Sequence, residues 1–188
     1  MVIGINEILR RVKTQKLIEN LGKRELLNPE GVGVDLRLGS IHKIISGGAF
    51  IEADGPAGLG KRKGVKTELI GEFKPRAKKQ KEIVINPGDY LLVSCFEKLN
   101  TPKDLMPVVY PRTSLFRAGL LLLNSKTDPG YKGTLTMGLK NLSEFPVILQ
   151  LGARFANIVF FKIEGETVSY RGQHQGGRIS PADVEQQV

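Results

Sequence analysis

The chain has no tryptophan, one cysteine and two histidines in 188 residues. Cys95 has no second cysteine for an internal disulfide, and with only His42 and His174 beside it the ligand sets of the usual zinc sites cannot be made. That excludes the zinc-dependent nucleobase deaminases, which need an H-x-E and a P-C-x-x-C signature. Cys95 itself lies in the strand-like run D-Y-L-L-V-S-C-F and reads as an inert buried thiol rather than a nucleophile. No apolar run approaches the roughly 18 residues of a membrane span; the longest, at 119–123 and 158–161, are strand-sized. The opening MVIGINEILRRVKTQK lacks the apolar stretch of a signal peptide, so a cytoplasmic protein with no membrane partner is expected.

Hydrophobic residues at 40% and charged residues at 25% put the chain among globular proteins. Its length suits one domain over 1–188. The charge balance is 28 basic to 19 acidic residues, net +9. Much of the excess falls between residues 60 and 81, in Lys61, Arg62, Lys63, Lys66, Lys74, Arg76, Lys78, Lys79 and Lys81. A polyanion partner or a solvated loop fits that cluster. Only Phe73 interrupts it, and aromatics are 6% overall, which argues against a nucleic-acid surface.

Within an N-terminal helical segment, 1–27, residues 5–21 carry Ile5, Ile8, Leu9, Val12, Leu17, Ile18 and Leu21 at near-helical spacing, which predicts an amphipathic helix closed by Gly22. Beyond Gly31 short strands are predicted at 32–38, 42–45, 82–85, 90–96, 106–110, 119–123, 133–141, 147–151 and 154–163, separated by turn signals such as Asn86-Pro87-Gly88-Asp89 and Asp128-Pro129-Gly130. Strands without intervening helices point to a mainly β barrel or jelly roll with an N-terminal helix. Residues 53–66 read as a mobile hairpin tip and 171–188 as a flexible tail.

Gly58-Leu59-Gly60-Lys61 lacks the spacing and following helix of a phosphate loop. Residues 111–120, P-R-T-S-L-F-R-A-G-L, are more informative. They gather the guanidiniums of Arg112 and Arg117 with the hydroxyls of Thr113 and Ser114 at a strand end, a set suited to phosphate oxygens. In Asp128-Pro129-Gly130-Tyr131 a turn can aim a ring under a sugar and a carboxylate at its hydroxyl or a water; the Tyr131 ring equally fits as the plug of a barrel end.

These segments, with V-D-L-R-L-G at 34–39 and G-A-R-F-A-N at 152–157, resemble in order the motifs of the dUTPase / dCTP deaminase superfamily, and the resemblance reaches about Ser180. It implies a homotrimer with a distorted jelly-roll fold. It further implies a nucleotide bound by Arg112, Thr113, Ser114, Arg117, Tyr131 and Asn157, and by Arg171, Gln175 and Arg178 of a C-terminal lid, 171–188. Asp128 would be the catalytic base that orients water, and Asp35 would hold Mg²⁺ through water. Two departures stand out. Asn157 occupies a position where the family has Gln, and the tail lacks the R-G-x-G-G-F-G-S-T pattern, with His174 the candidate for its stacking ring.

The superfamily runs two reactions. Deamination of dCTP needs a proton shuttle, and in the deaminases this is a Glu at the position of Gly138; Glu144 is the nearest carboxylate downstream. Hydrolysis of dUTP needs Mg²⁺, cationic clamps and one base, which Asp128 can be. The expectation is therefore a Mg²⁺-dependent dUTP diphosphatase releasing dUMP and pyrophosphate. The alternatives are a dCTP deaminase, alone or bifunctional with dUTP hydrolysis, and a non-catalytic nucleotide-binding homologue. The opening helix and Asn28-Pro29 resemble the deaminase branch.

Overall fold

The apolar periodicity of residues 5–21 is shared between a helix and a strand. In the computed structural model, which describes residues 1–56 and 58–187, α1 (Ile5–Gln15) ends where Lys16 turns left-handed at φ 53°. Leu17 and Ile18 reach the core from the short strand β1 (Ile18–Glu19). The helical spacing had extended α1 too far because the same residues satisfy a buried face in either conformation. A further helix, α2 (Lys23–Leu27), leads into β2 (Gly33–Ser46), one bent strand where two were expected.

The bend in β2 is at Gly39. A Cβ there would stand 2.7 Å from the backbone of Cys95 and Phe96, so only glycine lets the strands approach so closely. Before the bend β2 pairs with β14 (Arg154–Lys162); after it, with β7 (Tyr90–Cys95) and β5 (Lys66–Glu72). The inner face follows the switch, with Val34, Leu36 and Leu38 buried before it and Ile41 after. Between β2 and β5 lie β3 (Phe50–Ile51) and β4 (Lys61–Lys63), so part of the basic stretch is strand rather than loop.

The rest is antiparallel. After β5 come β6 (Glu82–Ile85), then β7, β8 (Lys98–Asn100), β9 (Leu105–Pro111), α3 (Thr113–Arg117), β10 (Leu120–Leu123), β11 (Lys132–Gly133), β12 (Thr136–Asn141), β13 (Val147–Gln150) and finally β15 (Glu185–Gln186) after β14. The main sheet runs β10-β12-β7-β2-β14-β9 with β5 also on β2. Its two ends, β10 and β9, come together again, giving a nearly closed barrel. Phe155, Phe160, Leu36, Leu38, Leu99 and Leu105 fill it. No described helix is long and apolar enough to cross a membrane.

Residues 171–187, expected as a flexible tail, are laid along the body. Gly176 bridges Gly133, β15 pairs with β4, and Gln187 donates its N–H to Gly60 O at 2.9 Å. Hairpin 53–66, expected as a mobile tip, receives that tail.

Candidate functional site

The predicted residues assemble at two corners of the chain. The first is a cavity of about 370 Å³ walled by the loop before β11, the start of β12 and the tail. Asp128, Tyr131, Thr136, His174 and Arg178 line it, with Lys126 at its edge ion-paired to Asp128. The loop is shaped by Asp128-Pro129-Gly130-Tyr131: Tyr131 N–H donates to Asp128 O at 3.2 Å, and Gly130 sits at φ 82°. Proline then glycine at the central positions is what a type II turn requires.

Tyr131 is buried at 6% exposure. Its hydroxyl donates to Thr134 O at 2.5 Å and its ring meets Tyr170 edge-on at 5.5 Å. Burial pushes its phenol up to about 12, so it stays protonated. The tail supplies the other wall. Gln175 accepts from Lys132 N–H at 2.8 Å and donates to Gly130 O at 3.2 Å, and Thr136 donates to Arg178 O at 3.1 Å. Arg178 and Arg62 grip the two oxygens of Glu185, each at 2.9 Å. His174 lies between, its pKa lowered by burial and by repulsion from Arg62 and Arg178, so its imidazole is neutral at pH 7. Arg171 is exposed and does not line the cavity.

The second corner gathers Asp35, Arg112, Arg154 and Asn157. Asp35 is buried at the start of β2, between two arginines from the end of β9 and the start of β14. Asn157 donates to its other oxygen at 3.0 Å. Thr113 and Ser114 open α3 beside them and are exposed, as is Arg117, which makes no ion pair among the described residues. None of Arg112, Thr113, Ser114 and Arg117 lines the cavity of the first corner.

The expected Mg²⁺ does not fit Asp35. Its carboxylate already faces two guanidiniums, which would oppose a divalent cation, and among the described residues no three His, Cys, Asp or Glu side chains lie close enough to hold a metal. Asn157 packs inside this cluster, where its Oδ1 also abuts Gly33.

Residues that sequence reading did not single out also matter. Lys126 and Thr136 reach the cavity, and Arg154 and Glu25 reach Asp35. Arg154 stands within the 152–157 motif, but its pairing with Asp35 spans 119 residues, and nothing local marks Lys126, Thr136 or Glu25. At Gly138, opposite Leu92, a Cβ would meet Tyr90 Oη at 2.5 Å; the tyrosine ring fills the space a larger residue would need. Glu144 is exposed in the turn between β12 and β13, away from the cavity.

A family model described as dCTP deaminase-like matches residues 2–163. The dCTP deaminase of Pyrococcus abyssi is 37% identical over 124 residues, 65% of this chain and 80% of its own length. That of Pyrobaculum calidifontis is 32% identical over 179 residues, 91% of this chain and 93% of its own. Among solved structures, the dCTP deaminase of Agrobacterium tumefaciens superposes with a TM-score of 0.59 at 18% identity, over 85% of this chain and 48% of that one. These similarities overturn the expected dUTP diphosphatase. That reading rested on the absence of a carboxylate at Gly138, one position set against likeness along nearly the whole chain.

Proposed function

The chain belongs to the dCTP deaminase-like family, and from that premise we propose that it is an enzyme of pyrimidine deoxynucleotides that deaminates dCTP. The observation that carries the reading is the cavity in which one carboxylate, Asp128, faces an aromatic wall and two cations. Hydrolytic deamination adds water across C4 of cytosine, puts a proton on N3 and expels ammonia, leaving uracil. Asp128 is the pocket carboxylate able to take a proton from water and return one to the departing amine. Lys126, ion-paired to it, holds the carboxylate at the cavity edge. Tyr131 and Tyr170 supply an apolar wall for the sugar, and Thr136 with neutral His174 supplies hydrogen bonds to the base.

The phosphates belong, in this reading, to Arg112, Arg117, Thr113 and Ser114. Because these do not line the cavity of their own chain, we propose that the working site forms between copies in a homotrimer, one copy's arginines meeting another's cavity. Any Mg²⁺ would arrive with the triphosphate. Sedimentation equilibrium should give three times the 20.7 kDa chain mass; an active monomer would remove this part of the proposal.

Gly138 favours a second reading, a nucleotide-binding homologue without turnover, since no carboxylate stands there and Tyr90 fills the space. Incubation with dCTP separates the two. Ammonia and a uracil nucleotide, abolished by Asp128→Asn, support deamination; tight dCTP binding with neither product supports the second reading.

A further inference from the structure

Around Asp35 the side chains form a built corner rather than scattered surface charge. Arg112 Nε lies 3.2 Å and an Arg154 Nη 2.9 Å from the same carboxylate oxygen. Behind them stands Glu25, on α2 and 2% exposed. One of its oxygens accepts the Asp35 N–H at 3.1 Å; the other accepts Arg24 at 2.9 Å and lies 3.9 Å from the Arg154 guanidinium. A carboxylate this deep is retained only where cations meet it. Here it meets Arg24 squarely and Arg154 more distantly.

The guanidiniums are not used up. Each carries five N–H donors in a rigid fork, and Arg154 spends one nitrogen on the two carboxylates. Arg112 spends Nε on Asp35 and another nitrogen on Arg154 O at 3.4 Å. Both side chains stay about one third exposed, at 32% and 37%. The exposed hydroxyls of Thr113 and Ser114 adjoin them, and Arg117 adds a charge with no described partner. Forks oriented from behind by buried acids, with free donors toward solvent, match the oxygens of a phosphate chain.

We propose that Arg154 is a phosphate-binding residue beside Arg112, and that Glu25 is the positioning residue that holds the corner in shape. The inference rests on the reading that a nucleoside triphosphate is the substrate, but inorganic tripolyphosphate tests it without the base. Calorimetry would compare tripolyphosphate, dCTP and deoxycytidine on the intact protein. Arg154→Gln should weaken tripolyphosphate and dCTP by about ten- to hundredfold, as expected for a charge-assisted hydrogen bond, and leave deoxycytidine unchanged. Arg154→Lys should recover part of the loss, since it keeps charge but not the fork. Glu25→Gln should weaken tripolyphosphate by about tenfold, again sparing deoxycytidine.

Tripolyphosphate that fails to bind the unaltered protein, or binds Arg154→Gln equally well, overturns the role of Arg154. Deoxycytidine affinity falling in parallel would mean a structural effect and overturn it too. Should Glu25→Gln not fold, Glu25→Asp keeps the charge but shortens its reach; unaltered tripolyphosphate affinity in that variant overturns the positioning role. If tripolyphosphate depends on Arg154 while dCTP binds no better than other nucleotides, the substrate reading fails and this inference stands.

Discussion

Around Asp35 a buried carboxylate meets two guanidiniums at 2.9–3.2 Å, one at the start of β14 and one at the junction of β9 and α3. Around Asp128 the nearest ion pair is with an exposed lysine two residues away, and part of the wall is tail docked through hydrogen bonds and the surface ion pairs of Glu185. The Asp35 corner is preorganised: buried carboxylates hold Arg112 and Arg154 while both side chains stay about one third exposed. In the Asp128 cavity, Tyr170, His174, Arg178 and Ile179 of the tail line one side. The two corners thus differ in how they are held: one by buried charges on the barrel, the other in part by the docked tail.

The contrast breaks most sharply at Asp35. Asp35→Ala leaves Arg112 and Arg154 facing one another with only the more distant Glu25 carboxylate behind them, at a cost of about 3–5 kcal/mol. For a chain of this size that is roughly 2–4 °C in Tm for each kcal/mol. Asp128→Ala removes only an exposed pair and should cost less than about 1 kcal/mol. Thermal unfolding showing equal losses in the two variants would erase the distinction.

Next in size is a kinetic effect with little structural one. Asp128→Asn should lower ammonia release from dCTP by at least ~100-fold, the lower range for a lost acid–base group. Its Tm and its dCTP affinity should change little. Turnover within a few fold of the original would move the proton-transferring role to another group.

A smaller effect concerns the tail. Glu185→Gln should loosen the grip of Arg62 and Arg178 and raise hydrogen exchange of the Gly176 and Gln187 amides by about tenfold, the loss of roughly one charge-assisted hydrogen bond. Strands β2 and β14 should exchange as before. A matching rise in those strands would show that tail and body open as one unit.

The smallest effect is a pH dependence. Burial, then Arg62 and Arg178, depress the folded pKa of His174 below its ordinary 6.5. The open tail therefore binds the proton more readily than the closed one, and closure is favoured as pH rises. Its contribution is complete above about pH 6.5 and is lost as pH falls through the lowered value. Tail exchange should accelerate on acidification across that window and stop doing so in His174→Gln. An unchanged pH profile in that variant would assign the effect to another group.

Much of the barrel was legible because glycine and proline punctuate it. Strands β7, β9, β10 and β14 fall where turn residues bracket apolar runs. The fusion of two expected strands into β2 was hidden, since Gly39 reads as a break in sequence but acts as a bend between paired strands. Helix α3 escaped because five residues are too few to show a period, and only Leu115 is buried. In the site, the D-P-G-Y turn disclosed Asp128 and Tyr131. The surroundings of Asp35 were not legible, because a carboxylate in a motif does not reveal which cations fold against it. The arginines at 112 and 154 arrive from strands whose pairing sequence alone does not give.

The edge-on contact of Tyr131 with Tyr170 also has an optical consequence. Of four tyrosines, one of this pair sits on the turn and the other at the root of the tail, with ring centres 5.5 Å apart. A tryptophan would drain excited-state energy from both and dominate the emission, but this chain has none. Tyrosine fluorescence is therefore left unobscured, and the two rings straddle the junction of turn and tail. Any departure of the tail would separate them, so lifetime and anisotropy would report the docked state in the native chain without an attached dye.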